Sequence, residues 1–527
     1  MVAQEAPRFQ SPGGAGYIRR YTSSYRFAYS QPSHETITSS LLETASSRLL
    51  AFCSRHYAVL AAAVLGLAAF NLAFFLEREI VSEWDESLYA ISAWEMGRTG
   101  DFVVTTFHGA LDYYNTKPPL NVWLITLSFK AFGTNLVSLR LVSVVSAWLT
   151  IAVLQAWTRR VFGPVVALFA ALVLATTFGF VYVHSGRTAE TDALFTLLIL
   201  LTVVALWAEA HEPWHRAWLG PIAAAVFLLR GMAVLMPLAI VLAVLLGRNR
   251  TPRPRWLPTL AAVILFVAPV GAWAVARWRV DQWMFFDKLF NYDFVARSLR
   301  VLEEHPGSPL YYLNILQKNQ YDWVLAGVLA LVLFPIPWRR VRDRFMSLWR
   351  EEDGLGVLLG SWAGITLLVP TVMRTKLPWY LNPFYPVFAL GVAWLFVRGL
   401  SQDGRGSSGR RQMFLGMAIV LAFGVAEGKL LWYRSHYRDV NDSTQGLLLQ
   451  EKGRLHNHRV FQAHWDNAEI FVASGVLGLE RGSTARVETF MGESRPGDCL
   501  ISVRRLSEPG LVLVRSSRHQ RLYCRTD

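Results

Sequence analysis

Long apolar runs separated by short polar segments dominate residues 57–432 of this chain. Several runs reach the roughly 20 residues that an α-helix needs to cross the hydrocarbon core of a bilayer. The pattern predicts about eleven transmembrane helices, of which the fifth and sixth are short and are joined at Arg230-Gly231. The predicted helices cover about residues 57–76, 137–157, 163–184, 192–208, 217–229, 232–247, 257–277, 322–337, 355–372, 382–398 and 413–431.

Polar segments flank this region on both sides. Residues 1–56 are rich in Ser and contain several Arg, which predicts a cytoplasmic tail without a cleaved signal peptide. Residues 433–527 lack membrane-length apolar runs and predict a small soluble α/β domain. The predicted fold class is therefore an α-helical polytopic membrane protein with a tail, a transmembrane region at 57–432 and a soluble C-terminal domain.

The distribution of charge predicts the orientation of the chain in the membrane. The net charge is +14, and excess Lys and Arg typically mark cytoplasmic connections, so the charge does not require a nucleic-acid partner. Four short connections are basic: Arg159-Arg160, 248–255, 339–344 and 398–411. With these in the cytoplasm, the outward segments are 77–136, 185–191, 278–321, 373–381 and the C-terminal domain.

Acidic residues cluster just after the first apolar run. The stretch "VSEWDESLYA" (81–90) contains Glu83, Asp85 and Glu86. The following residues predict a short amphipathic helix on the membrane surface, with Leu88, Ile91 and Met96 on one face and with Tyr89 and Trp94 as interfacial rings. Asp85 and Glu86 fall at its N-terminus, where a carboxylate is either a helix cap or a functional group.

The other outward segments supply further candidates. Lys117 precedes Pro118-Pro119, which favours a rigid, extended presentation of its ammonium group, although a Lys at this depth can also snorkel to the interface. A His beside acids, His305 next to Glu303 and Glu304, is either a metal ligand or a solvated residue. The remaining candidates on this side are Arg187, Glu190, Asp192, Arg374, Lys376 and Tyr380.

Carboxylates and cations gathered at one membrane face suit a substrate that carries a lipid-linked phosphate. Cations hold a phosphate through charge-assisted hydrogen bonds, and a carboxylate can deprotonate an attacking group. A transporter or flippase of a lipid-linked or anionic solute would also need such groups, but transporters tend to place them near the membrane midplane. A non-catalytic scaffold is the third alternative.

Five motifs carry a family resemblance. In order along about residues 80–400 they are "EWDESLYA", "TKPPL", "GRTAETDALFTLL", "HPGSPLYYL" and "TKLPWYLNPFYP". The set resembles the polyprenyl-phosphate-sugar-dependent GT-C glycosyltransferases, which include the bacterial aminoarabinose transferases and, more distantly, the protein O-mannosyltransferases. The resemblance implies that Asp85 is the catalytic or acceptor-orienting carboxylate, that Asp192 is its companion, and that Lys117, Lys376 and Tyr380 hold the donor phosphate.

The resemblance and the loop positions together give the candidate site. The predicted catalytic residues are Asp85, Glu86 and Asp192; the predicted phosphate-binding residues are Lys117, Arg187, Arg374, Lys376 and Tyr380; further contributors are Tyr89, Glu190 and His305. Where bacterial relatives have a carboxylate before the Lys, this chain has Thr116. We therefore carry over no metal site and expect no certain cofactor, with a divalent metal kept as an alternative.

The expected activity is a membrane glycosyltransferase. It would move a hexosyl or pentosyl group, with inversion, from a polyprenyl-phosphate donor to a lipid, glycan or protein acceptor at the outer face of the inner (plasma) membrane. The partners are thus the lipid-linked sugar, the acceptor and membrane lipids, and no nucleic acid.

Two of the three cysteines lie in the C-terminal domain. "DCLISVRRL", "GLVLVRSS" and "QRLYCRTD" predict three strands in a meander, whose first and third strands flank the second or pack on a shared face. An outward domain in an oxidising compartment can keep a Cys499–Cys524 disulfide. Two buried free thiols are the alternative.

Overall fold

The structure is a computed structural model that describes residues 45–247, 256–301, 305–336, 354–402, 407–436, 440–484 and 486–526. Most of the predicted tail, the basic connections 248–255 and 339–344, part of 398–411, and Glu303 and Glu304 lie outside these residues.

A helix occupies each of the eleven apolar runs. The helices run Tyr57–Ala73, Leu136–Phe162, Pro164–Ala175, Asp192–His211, Leu219–Arg230, Leu235–Gly247, Trp256–Asp281, Tyr311–Leu333, Leu355–Val372, Tyr385–Leu400 and Ser407–His436. Within the described residues, eight segments are long and apolar enough to cross a membrane, and Pro213–Gly247 counts as one of them. The chain is thus a multi-pass membrane protein, and the number of eleven crossings stays a prediction.

Local sequence signals set several helix ends. Asn135 caps the helix Leu136–Phe162 by accepting from the backbone N–H groups of Val137 and Ser138, and Ser138 returns a bond to the Asn135 N–H. That helix and Asp192–His211 form the centre of the bundle, since 56% and 67% of their apolar windows are buried. Trp256–Asp281 lies at the periphery, with 6% of its window buried.

Shorter elements precede the first bundle helix or connect the bundle helices to one another. They are the helices Ala45–Arg55, Asp85–Thr99, Leu120–Phe132, Phe178–Tyr182, Met284–Asp287 and Arg297–Leu299, the 3₁₀ turns Leu76–Arg78, Pro213–Trp218, Gly231–Val234 and Pro378–Phe384, the π-helix Lys288–Ala296, and the two-residue strands β1 (Thr106–Phe107) and β2 (Ala110–Leu111). The helix Asp85–Thr99, hereafter the Asp85 helix, begins at the predicted carboxylates and ends at Gly100, whose φ of 74° suits glycine.

The prediction that the Asp85 helix lies on the membrane surface is wrong. Leu88, Tyr89, Ile91 and Met96 are all buried, and the helix packs into a core shared with Leu120–Phe132 and the C-terminal domain. The apolar face that the prediction assigned to lipid is therefore occupied by protein. Tyr89 is therefore not an interfacial ring.

The C-terminal domain is α/β, as predicted. Its sheet has the strand order β4-β3-β5-β7-β6, with β3 (Arg459–Gln462), β4 (Glu480–Ser483), β5 (Cys499–Ser502), β6 (Leu511–Ser516) and β7 (Arg521–Arg525). Its short helices and turns are Val440–Asp442, Thr444–Gln450, Lys452–Leu455, Asn467–Ile470, Phe471–Val476 and Val487–Glu493. Strand β3 is parallel to β4 and β5, and the other neighbours are antiparallel.

The three predicted C-terminal strands are present, but they do not form a meander. Strand β7 lies between β5 and β6, so the first and third strands pair directly. Cys499 and Cys524 are cross-strand partners in this pairing and form the predicted disulfide.

Two contacts fix the C-terminal domain against the Asp85 helix and its surroundings. The Gln445 side-chain amide accepts from the Val81 N–H (2.8 Å) and donates to the Val81 carbonyl (3.0 Å). The rings of Phe129 and Phe471 stack with centroids 5.9 Å apart.

Candidate active site

A cavity of about 670 Å³ opens where the predicted outward segments converge at one end of the bundle. Asp85 and Lys117 come from segment 77–136, Glu190 from 185–191, Asp293 and His305 from 278–321, and Tyr380 from 373–381. All four bundle segments that the charge pattern places on one side therefore supply ionisable or polar groups to a single cavity.

Asp85 and Glu86 are neighbours in sequence but have different surroundings. Asp85 lines the cavity, and its side chain is 36% exposed. Glu86 is fully buried outside the cavity lining and forms an ion pair with Arg140 (Nε–Oε1 2.7 Å). Glu86 also accepts from the N–H groups of Ser82 (2.9 Å) and Ala189 (3.2 Å). The structure therefore does not bring Glu86 to the cavity with Asp85, and its ion pair with Arg140 suits a structural role.

Asp192 begins its helix, as predicted, and lines the cavity. One carboxylate oxygen lies 2.7 Å from Nη1 of Arg230. Arg230 ends the helix Leu219–Arg230 just before Gly231, whose φ is 54°, and its guanidinium lies 5.1 Å from the centre of the Phe195 ring. Arg230 was not among the predicted site residues. Its position between two apolar runs was the available signal, because ionisable residues within membrane segments are functional candidates.

Lys117 enters the cavity from the loop before the helix Leu120–Phe132. Its Nζ donates to Asn115 Oδ1 (3.3 Å) and lies 5.5 Å from the centre of the Tyr89 ring. Burial favours the neutral amine, but the coulombic effects of Tyr89 and of the Asp85 and Asp293 carboxylates together outweigh it and raise the pKa of Lys117. The ammonium is therefore retained at physiological pH. Burial raises the pKa of the Tyr89 phenol, so Tyr89 is neutral there.

The opposite wall combines a second cation with a phenol. Arg297 pairs with Asp293 one helical turn earlier (Nε–Oδ1 3.4 Å), and it hydrogen-bonds to Tyr380. Both charged residues line the cavity, as does His305. Asp293 and Arg297 were missed at the sequence level, although they fall in a predicted outward segment.

A second histidine, also missed, lies between two carboxylates. His184 Nδ1 is 3.8 Å from Asp85 Oδ2 and 3.5 Å from Glu190 Oε1. The imidazole stacks on the Trp379 ring, with centroids 3.6 Å apart and planes 13° from parallel. The imidazole thus lies between Asp85 and Glu190, which was a predicted contributor to the site.

Three predicted phosphate-binding cations do not line the cavity. Arg187 is buried in an ion pair with Glu79 and donates to two backbone carbonyls. Lys376 donates to the carbonyls of Pro370, Thr371 and Met373, and so completes the C-terminal end of the helix Leu355–Val372. Arg374 is exposed outside the lining. The structure therefore does not bring Arg187, Arg374 and Lys376 to the cavity.

The donor set does not fit a metal ion. The position before Lys117 is a buried Thr116, and no group of three His, Cys, Asp or Glu residues in the described part of the chain could hold a metal. We derive no step through a metal.

Comparisons with known proteins agree with this architecture. A family model described as dolichyl-phosphate-mannose-protein mannosyltransferase matches residues 116–273. The undecaprenyl phosphate-alpha-4-amino-4-deoxy-L-arabinose arabinosyl transferase of Pseudomonas savastanoi pv. phaseolicola is 30% identical, over 64% of this chain and 62% of its own length. The protein of the same description from Pseudomonas paraeruginosa is 29% identical, over 67% and 63%. The chain thus spans less than two thirds of the length of these relatives.

Solved structures show the same fold. ArnT from Cupriavidus metallidurans, bound to undecaprenyl phosphate, superposes with a TM-score of 0.61 at 15% identity, over 88% of this chain and 97% of that one. An Archaeoglobus fulgidus oligosaccharyltransferase superposes at 0.51 and 13% identity, over 82% and 65%. The predicted fold class and the resemblance to the polyprenyl-phosphate-sugar-dependent GT-C glycosyltransferases are confirmed.

Proposed function

We propose that this GT-C protein is a membrane glycosyltransferase that moves a sugar from a polyprenyl-phosphate donor to a lipid, glycan or protein acceptor. The observation that carries the proposal is the single cavity in which an exposed carboxylate, Asp85, shares the space with Lys117, Arg230 and Arg297. The names of the relatives add that proteins of similar sequence transfer an aminopentose from undecaprenyl phosphate. A pentosyl donor is therefore the first to test.

The cavity contains groups that can bind the donor phosphate and a group that can act on the acceptor. Lys117 is charged, and with Arg297 and Tyr380 it would hold the donor phosphate through charge-assisted hydrogen bonds. A phosphate monoester has a second pKa near about 6, so the polyprenyl phosphate can leave without a general acid. Cations that stabilise its growing charge then supply most of the catalysis.

Asp85 would act on the acceptor. Its partly exposed carboxylate lies at the first turn of a buried helix, which holds it in place beside the His184 imidazole, 3.8 Å away. The Asp192–Arg230 pair would be the companion group that shapes the sugar pocket. Direct attack of the acceptor on the anomeric carbon, with departure of the phosphate from the other side, inverts the configuration at that carbon.

We place the reaction at the outer face of the inner (plasma) membrane, with the tail at 1–56 in the cytoplasm and the domain at 433–527 outside. Two observations support this orientation. The basic connections lie between helices on the side away from the cavity segments in the predicted topology, as the positive-inside rule requires. The Cys499–Cys524 disulfide suits an oxidising compartment. Transport or flipping of a lipid-linked solute is the alternative, and the comparisons do not favour it.

The test measures transfer by the purified full-length protein in lipid nanodiscs. Wild-type protein should release undecaprenyl phosphate from undecaprenyl phosphate-linked 4-amino-4-deoxy-L-arabinose or a related undecaprenyl phosphate-sugar. Asp85→Asn should slow this release by about 10²-fold or more, the scale for loss of a catalytic base. Glu83→Gln, which removes an exposed carboxylate two residues away and outside the cavity lining, is the matched control and should keep wild-type rates.

A cellular comparison identifies the acceptor. Mass analysis of envelope lipids, glycans and proteins from cells with and without the gene should show one sugar modification lost, and Asp85→Asn should not restore it. Donor turnover by Asp85→Asn at the wild-type rate would remove Asp85 from the mechanism. Movement of the lipid-linked sugar across the bilayer without release of undecaprenyl phosphate would establish the transporter instead.

A further inference from the structure

We propose that His184 and Glu190 form a proton relay behind Asp85, and that the acceptor of this enzyme is consequently a hydroxyl group rather than an ionised phosphate. The inference rests on the proposed function and specifies its acceptor. An acceptor phosphate is already ionised at neutral pH and needs no base, whereas a hydroxyl must lose a proton as it attacks.

The three groups meet at ion-pair distance around one imidazole nitrogen. One imidazole nitrogen, Nδ1 of His184, lies within 4 Å of a carboxylate oxygen on either side, Asp85 at 3.8 Å and Glu190 at 3.5 Å. Exposure is graded along the series: the side chains of Asp85 and His184 are 36% and 28% exposed, and that of Glu190 is 2% exposed. Asp85 is thus open to an acceptor, while Glu190 lies behind the imidazole.

The fold holds the imidazole in this position. His184 has a φ of 49°, in the left-handed region that residues other than glycine seldom occupy, and such outliers concentrate at functional sites. The Trp379 ring stacked on the imidazole stabilises its protonated form through the electron-rich ring face. The two carboxylates and the Trp379 ring therefore all favour protonation of His184.

The charges lining the cavity also fit a neutral acceptor. The lining contains three cations and four carboxylates. The cations are Lys117, Arg230 and Arg297, and the carboxylates are Asp85, Glu190, Asp192 and Asp293. A donor phosphodiester adds one negative charge, so a second phosphate on the acceptor would enter a cavity that is already net negative, and like charges disfavour its binding.

The step balances as follows. The acceptor oxygen forms a bond to the anomeric carbon, and the bond from that carbon to the phosphate oxygen breaks with its electron pair on the phosphate. The hydroxyl proton passes to Asp85 and from there to Nδ1 of His184, with Glu190 compensating the imidazolium charge. The products are the glycosylated acceptor, the polyprenyl phosphate dianion and a protonated His184, which later loses its proton to water.

A pH profile separates this role from a structural one. A His184 that is already protonated cannot accept the proton, so wild-type kcat should fall as the pH drops through the imidazole range. In His184→Gln that group is absent, and kcat should be lower by about tenfold or more above the imidazole pKa, with its acidic limb moved to lower pH. The charged groups that face His184 are the carboxylates of Asp85, Glu190 and Asp192.

The experiment uses the nanodisc assay with two acceptor probes of equal chain length, dodecyl maltoside for hydroxyl and dodecyl phosphate for phosphate. His211→Gln is the matched control, because His211 also lies beside a tryptophan, Trp207, but at the far end of the helix Asp192–His211. We expect transfer to the maltoside, a tenfold or greater loss of kcat in His184→Gln and Glu190→Gln with donor KM within about twofold of wild type, and no change in His211→Gln.

Each other outcome overturns a stated claim. Preference for dodecyl phosphate, with His184→Gln equal to wild type across the pH range, overturns the relay and leaves the glycosyltransferase in place. A loss confined to donor KM assigns the carboxylates to recognition of the donor sugar and also overturns the relay. Absence of undecaprenyl phosphate release by wild type from every donor overturns the proposed function and the relay together.

Discussion

Glu86→Gln should destabilise the protein without changing the cavity lining, whereas Asp85→Asn should slow transfer by about 10²-fold or more without destabilising the protein. Glu86 and Arg140 are both fully buried, and all five N–H donors of the Arg140 guanidinium are used. Two go to Glu86, and three go to the carbonyls of Leu76, Glu79 and Ile80. The pair therefore ties the chain before the Asp85 helix to the centre of the bundle.

The magnitude follows from the contacts of the Glu86 carboxylate. Each of its two oxygens accepts one bond from Arg140 and one from a backbone N–H, of Ser82 or Ala189. A Gln amide replaces one oxygen by an NH₂ group, so two donors lose their acceptor and the guanidinium loses its counter-charge. Breaking a buried ion pair on one side costs about 3–5 kcal/mol. Asp85→Asn, at an exposed position, should cost no more than about 0.5 kcal/mol.

The assay is denaturation of the purified protein in mixed micelles with increasing dodecyl sulfate, together with donor turnover for each variant. Arg140→Met and the double variant E86Q/R140M complete a double-mutant cycle, in which the double variant should lose less than the sum of the singles because no unpaired charge remains. Glu86→Gln within about 1 kcal/mol of wild type, or Asp85→Asn as unstable as Glu86→Gln, would refute this assignment of the two neighbours.

Four further predictions can be checked on the same preparation. Lys117→Met should abolish binding of undecaprenyl phosphate measured by calorimetry, whereas Lys117→Arg should retain part of it, since the charge is kept but the compact ammonium is not; equal affinity in wild type and Lys117→Met would show that the side chain only snorkels. Donor turnover should survive EDTA, because the donor set does not fit a metal; loss that a single divalent cation restores would contradict this. Thiol labelling of the unreduced, denatured protein should modify only Cys53, given the Cys499–Cys524 bridge; three labelled cysteines would disprove the bridge. Hydrogen bonds from Arg495 and Arg459 overcome burial and lower the pKa of the Asp498 carboxyl, so its contribution to the stability of the C-terminal domain should be present above the unfolded value of about 3.9 and be lost as the pH falls through the lower folded value; a melting temperature of the domain that responds to acid equally in wild type and Asp498→Asn would contradict this.

The apolar pattern and the charges between the apolar runs were sufficient to predict the helices and to predict that the site segments lie on one side of the membrane. A run of apolar residues has one low-energy solution in a bilayer, a helix, so each of the eleven runs appears as one. The alternation of basic and acidic connections then sorts the loops by side, which brought Asp85, Lys117, Asp192 and Tyr380 to one cavity. The motif resemblance selected these four residues and also Lys376, which does not line the cavity.

The sequence alone could not show which charged residues face the cavity. Successive residues of a helix point about 100° apart, so Asp85 and Glu86 face different surroundings. Glu86 is the one that pairs with Arg140, and Arg140 lies 54 residues later in the chain. Arg187 is likewise neutralised by Glu79, 108 residues away. Local pattern carries no information on such partners.

The predicted strand order of the C-terminal domain was wrong for a related reason. A meander assumes that each strand pairs with the next one along the chain, but β5 is followed by an eight-residue connection, 503–510, that is not a tight turn. Strands β6 and β7 form the hairpin instead, and β7 adds to the free edge of β5.

The Gln445 contact to Val81 has a consequence for how the protein is made. These residues are 364 positions apart, so the ribosome has produced Val81 and the catalytic segment long before Gln445 exists. During that interval the Val81 N–H and carbonyl lack the partners that later hold the chain four residues ahead of Asp85. The backbone just ahead of Asp85 therefore gains these hydrogen bonds only after the C-terminal domain has been synthesised.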